Sequence, residues 1–206
     1  MAFWSPFDMT LGRRPSTSTS VEVNLRTLEN ALSIILGYDP VTLRERVDLR
    51  AVGERMTELG DLRTLSALSE KTVLLRLSGQ FDDALYTANE AVRQARFTGD
   101  RQEMLAARAR RAQVLHYLGK VDEAITELTS CIDEGRLREW RELEAFALHA
   151  RGLAHFQLGD YLLATADLKA AVFLGDRNGG SPEALGVSLS LVEAAEQRVR
   201  AGRLEK

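Results

Sequence analysis

Few residues in this chain have both the type and the spacing to do chemistry. There are three histidines, a single cysteine and a recurring cation. His116 and His149 come without a nearby carboxylate expected on the same face, so they read as polar surface groups and a metal site is not expected. His155 reads as packed inside. Cys131 excludes an intramolecular disulfide and a multi-cysteine metal site, and it reads as a small buried thiol, inert because burial keeps it protonated. The sequence holds no phosphate loop, zinc motif or serine or cysteine nucleophile motif. These residues therefore point away from an enzyme, with no cofactor expected. Lys71, Arg111 and Arg151 could form a ladder for an anionic partner, but Glu127 and Asp167 follow the two arginines at sixteen residues. The spacing predicts the ion pairs Arg111–Glu127 and Arg151–Asp167 across two facing helices, with Thr87 opposite Lys71.

The elements that must position these residues are announced by a phrase stated three times: LSGQFDDALYTANEAV, LGKVDEAITELTSCI and LGDYLLATADLKAAV. Gly79, Gly119 and Gly159 recur at a period of 40, as do Ala84, Ala124 and Ala164. Such self-similarity marks a repeat architecture. Residues 61–100, 101–140 and 141–180 form three matching units, each a helix, a glycine turn and a second helix with acidic residues such as Asp82, Asp83, Asp122 and Glu123 favoured at its start. Before them, residues 21–60 read as a degenerate helical hairpin. Leu25, Leu28, Leu32 and Ile35 share one face, Gly37 closes the first helix, and Pro40 opens a second over about 41–58 with the stripe Leu49, Val52, Met56, Leu59. Residues 1–20 read as a flexible arm. Its Phe3, Trp4 and Phe7 would cover a hydrophobic edge or, in a sharper reading, dock into the protein's own groove. After GDRNGGSP, residues 181–206 supply a capping helix through Leu185, Leu189, Val192, Ala195 and Val199. No strand pattern is visible, so the fold class is all-α.

The units resemble the tetratricopeptide repeat. Seven residues before each glycine stands Thr72, Ala112 or Gly152, and two after it Phe81, Val121 or Tyr161. The second helices carry Ala84, Ala88, Ala91, Val92, then Ala124, Leu128, Cys131, Ile132, then Ala164, Leu168, Ala171, Val172. Small residues at such places let helices approach to about 8–10 Å. The resemblance covers 61–180; the longer period and the missing tryptophan and closing proline set the chain apart from the common form. It implies a right-handed α-solenoid of antiparallel helix pairs, with about three full repeats, whose first helices line a concave groove. Carried over, the inward face holds Ser66, Ser69, Val73 and Arg76, then Ala106, Ala109, Gln113, His116 and Tyr117, then Phe146, His149, Leu153, Phe156 and Gln157. The partner-binding candidates are Arg76, Gln113, His116, Tyr117, Phe146, His149, Phe156 and Gln157, an aromatic and imidazole surface with two amides suited to a peptide. The carboxylate clamp of the family's chaperone-tail binders is missing, because Ser69, Val73, Phe146 and Ala150 stand at its places.

Composition agrees with a globular chain: 206 residues, 45% hydrophobic and 28% charged, with net charge −3. That balance gives no basic field, which disfavours a nucleic-acid partner. The local cluster Arg93, Arg96, Arg101, Arg108, Arg110 and Arg111 is interrupted by Asp100 and Glu103 and reads as a solvated junction. No apolar run is long enough for a signal peptide or a membrane span, so a cytoplasmic protein without membrane contact is expected. The expected role is a non-catalytic adaptor that binds a protein or peptide in its groove. The alternative is a regulatory or sensor protein in which a small ligand or the arm competes for that groove. A homo-oligomer is compatible with either.

Overall fold

The computed structural model of the chain describes residues 34–177 and 182–204. The expected arm over 1–20 and the helix from Val21 lie outside the described residues. Within them the protein is all-α in class, with eight helices and one small hairpin of strands. In order they are β1 (Ile35–Tyr38), β2 (Glu45–Val47), α1 (Leu49–Leu59), α2 (Leu65–Leu77), α3 (Phe81–Thr98), α4 (Arg101–Tyr117), α5 (Val121–Leu137), α6 (Arg141–Leu158), α7 (Tyr161–Arg177) and α8 (Pro182–Leu204).

The hairpin corrects the expectation of helix from Pro40. β1 and β2 pair antiparallel with Tyr38 opposite Glu45 and Gly37 opposite Arg46, and the register is bulged between Ile35 and Gly37. Gly37 supplies a backbone conformation that side chains rarely take, at φ +140°, so it serves a strand bulge and not a helix end. Asp39 then folds the connection locally. Its Oδ1 accepts from the backbone of Val41 at 3.0 Å and from the backbone and hydroxyl of Thr42 at 2.7 and 2.9 Å. The helix begins later, where Asp48 caps it by accepting from the Arg50 and Ala51 amides at 3.0 and 3.2 Å. Within α1, Val52 and Leu59 are buried as expected, whereas Leu49 is exposed.

From α2 onward the expected succession of helices is present. Each helix packs on the next through α8, and α2 also touches α4, as α4 touches α6. The turn glycines Gly79, Gly119 and Gly159 have φ of 79°, 79° and 82°, left-handed conformations that cost a residue with a Cβ. Thr64 and Asp100 cap α2 and α4 with their side chains. The starts at Gln80, Lys120 and Trp140 have no side-chain cap and carry acidic first turns instead. The repeated alanines Ala84, Ala124 and Ala164 are fully buried, and so are Ala112, Leu128 and Cys131. At Gly152 an added Cβ would lie 2.9 Å from Leu168 Cγ and 3.3 Å from the Ala164 carbonyl, which explains the small residue demanded there.

The predicted ion pairs form. Arg151 reaches Asp167 with two bonds of 2.7 and 2.8 Å, and Arg111 reaches Glu127 with one of 3.2 Å and a second, shorter contact. Lys71, lacking a carboxylate opposite, donates to the Gly60 and Leu62 carbonyls at 2.6 and 2.8 Å. On α8 the buried stripe is Ser188, Leu191, Val192 and Ala195, so Leu189 faces solvent, contrary to expectation.

Candidate functional site

Helices α2, α4 and α6 bring the candidate residues onto one side of the molecule, and the hairpin lies across that side. Arg76 on α2 donates to Glu45 Oε1 on β2 at 2.8 Å, both side chains being only 5% exposed. Tyr117 on α4 donates its hydroxyl to the other carboxylate oxygen of Glu45. The Arg76 guanidinium also lies over the Tyr117 ring, 4.9 Å from its centroid, and Arg44 approaches the same ring at 5.8 Å. Tyr38 on β1 sets its ring edge-on to His149 of α6, 6.4 Å between centroids. Leu43, in the connection, is buried in a cluster with Leu153, Phe156, Leu168, Leu191 and Val192. Thus one strand pair touches three first helices and reaches the cluster shared with α7 and α8.

This seat changes the electrostatics. Burial works to raise the pKa of Glu45, but the attraction of Arg76 and the hydrogen bond from Tyr117 outweigh it and hold the carboxyl below its ordinary range. Burial and the Glu45 charge push the phenols of Tyr38 and Tyr117 up. Burial lowers His116 and His149 to about 4, so both imidazoles are neutral at pH 7.

The candidates therefore divide. Arg76, Tyr117 and His149 meet the hairpin. His116, Tyr117, Phe156 and Gln157 line a cavity beside the hairpin connection. Gln113 and Phe146 are buried, Phe146 within the main apolar core. Of the eight, Gln157 alone is classed as exposed, which differs from the open aromatic surface expected of an empty groove. Among the described residues no group of three or more His, Cys, Asp or Glu side chains is placed to hold a metal ion.

Sequence reasoning missed Tyr38, Leu43, Arg44 and Glu45, which it placed in or beside helices. The signals were Asp39 with Thr42 three residues on, an arrangement that folds an Asx turn, and Asp48 as an N-cap too late for a helix from Pro40. Arg198 on the capping helix α8 also reaches the cavity, a residue that sequence reasoning did not single out for the site.

The cavity has a volume of about 430 Å³ and lies between the Val41–Arg44 segment and helices α4, α6, α7 and α8. Its wall includes His116, whose two ring nitrogens are both buried and without a hydrogen-bond partner. The Gln157 amide lies close enough to act on the imidazole pKa, without hydrogen-bond geometry at either nitrogen. A larger cleft of about 750 Å³ runs between α3, α4 and α5, but its arginines Arg108 and Arg111 are already paired with Glu127 and Glu134. These pairs, with Arg93 beside Glu90, neutralise much of the arginine cluster. Arg110 of that cluster is buried instead, its Nε without an acceptor, and burial lowers its pKa to about 10.

No helix among the described residues is long and apolar enough to cross a membrane. No family model matches the chain, and neither a curated protein nor a solved structure shows significant similarity to it.

Proposed function

We propose that the chain is a non-catalytic interaction scaffold of the tetratricopeptide type, a short solenoid whose peptide groove is closed at rest by its own β-hairpin. The observation that carries this reading is the seating of Glu45 on Arg76 and Tyr117, residues expected to face a partner. A peptide entering the groove must replace the contacts that Tyr38 and Glu45 make with α2, α4 and α6. The hairpin thus favours the gated reading over an open adaptor, with the gate formed by residues 35–47.

Glu45→Ala tests it. The substitution leaves Arg76 buried beside no carboxylate, a loss of about 3–5 kcal/mol for a broken buried pair, and should free the hairpin. A displayed peptide library panned against both proteins should enrich binders on Glu45→Ala and few on the parent. Adding Tyr117→Ala and Phe156→Ala to Glu45→Ala should abolish their binding. Equal enrichment on both proteins, or binders indifferent to the two added substitutions, would refute the gate.

A further inference from the structure

Where the hairpin connection meets the helices, the cavity beside His116 combines three properties that its role as a seam does not require. The first is uncompensated positive charge. Arg44 and Arg198 both line it, no carboxylate does, and neither arginine forms an ion pair among the described residues. Both side chains are exposed and free to turn towards the opening, so an anion there would meet two guanidinium groups and no competing carboxylate from the lining. The second is the imidazole of His116. It is 6% exposed, and both nitrogens lack a partner while the ring lines the cavity. Buried polar atoms are nearly always satisfied, and one unused donor with one unused acceptor on a neutral ring is a demand for a ligand that can answer it. The third is the remaining wall. Leu43, Leu153, Phe156 and Tyr161 give it an apolar and aromatic floor, Phe156 and Tyr161 meeting edge-on at 5.2 Å.

We propose that this cavity binds a small organic carboxylate with an apolar, preferably aromatic, body. The carboxylate lies between Arg44 and Arg198 and, once the His116 ring turns its N–H into the cavity, accepts from it; Gln157 offers its amide to the same end, and the body rests on Phe156 and Leu153. The volume of about 430 Å³ falls at the small end of the roughly 300–1,000 Å³ range of small-molecule sites, which suits a compact metabolite and not a peptide in extended form. Because Arg44 belongs to the hairpin and Arg198 to α8, the occupant bridges them and holds the hairpin down. This inference stands on the docked hairpin itself and does not depend on the scaffold reading; a failed peptide selection leaves it untouched.

The test uses the full chain and three probes of one skeleton: 2-naphthoate, its neutral amide, and 2-naphthylmethylamine, each titrated calorimetrically and by ligand-observed NMR. The carboxylate should bind with a dissociation constant below about 1 mM. The amide should bind at least tenfold more weakly and the amine not at all. Arg44→Ala and Arg198→Ala, both at exposed positions that leave the fold intact, should each weaken the carboxylate tenfold or more, whereas Arg200→Ala, on the same helix and outside the cavity, should not. Bound 2-naphthoate should also slow hydrogen exchange of the Arg44 and Glu45 amides. Equal affinity for carboxylate and amine, indifference to both arginine substitutions, or no binding by 2-naphthoate at 5 mM would each overturn the proposal.

Discussion

Lowering the pH from 7.5 to 5 should destabilise this protein through two buried imidazoles. His116 and His149 are 6% and 4% exposed, and burial depresses both from an ordinary 6.5 to about 4. In both, the attraction of Glu45 and the repulsion of Arg76 act in opposite senses, and Arg44 adds repulsion at His116, so desolvation prevails. A depressed folded pKa on a base means that the unfolded chain takes up the proton first. Stability is therefore full above pH 6.5 and is lost as the pH falls from 6.5 towards 4. At pH 5 an exposed imidazole is almost wholly protonated and a buried one about a tenth so, which corresponds to a loss of about 2 kcal/mol for each histidine and about 4 for the two. Glu45, whose pKa is lowered, acts in the same sense, but only below its ordinary 4.5. Glu142, raised by burial, opposes it in its own range. Urea unfolding at the two pH values measures the difference directly. Replacing either histidine by glutamine should remove about half of the pH dependence. A parent protein that loses less than about 1 kcal/mol over this range, or variants with an unchanged slope, would refute the burial argument.

Other substitutions test the packing. Glu139 is exposed at φ 58°, at the place held one repeat earlier by Gly99 at φ 73°, so Glu139→Gly should relieve left-handed strain and raise stability by about 0.5–1 kcal/mol in urea melts. Gly152→Ala places a Cβ 2.9 Å from Leu168 Cγ and should lower the melting temperature, with overpacking of about 1–3 kcal/mol exceeding the helix-propensity gain of about 1. Arg110→Met removes a buried guanidinium that has no acidic partner among the described residues and should raise stability by about 1–3 kcal/mol; a fall would show that the charge is satisfied after all. Cys131, whose thiol burial pushes up to about 12, should react with a thiol reagent only at the rate of unfolding.

What was legible in the sequence was whatever repeats or stays local. Gly79, Gly119 and Gly159 announce left-handed turns because a single residue's φ decides them, and Arg151 finds Asp167 because a helix pair of fixed length brings sixteen-residue neighbours together. The hairpin was not legible in the same way. Ile35, Val52, Met56 and Leu59 fit a helical stripe as well as they fit the observed core, and the signal against a helix over 41–48 lay in the polar side chains of Asp39, Thr42 and Asp48. Nor could periodicity reveal that Glu45 meets Tyr117 across 72 residues of chain, since nothing local constrains that distance.

The same contrast separates scaffold from site. Repeat positions such as Ala84, Ala124 and Ala164 are interchangeable because each is fully buried at the same place in its own unit. Arg76, His116 and His149 instead meet a segment that occurs once, so no comparison among the units could show what each one faces. A hairpin seated by one carboxylate on Arg76 and Tyr117 depends on that carboxylate far more than a helix pair depends on any one alanine. Glu45→Gln should therefore loosen residues 35–47 while leaving α3 to α7 intact. In hydrogen exchange this predicts lost protection in the two strands alone, and uniform loss across the helices would show that the hairpin belongs to the core and gates nothing.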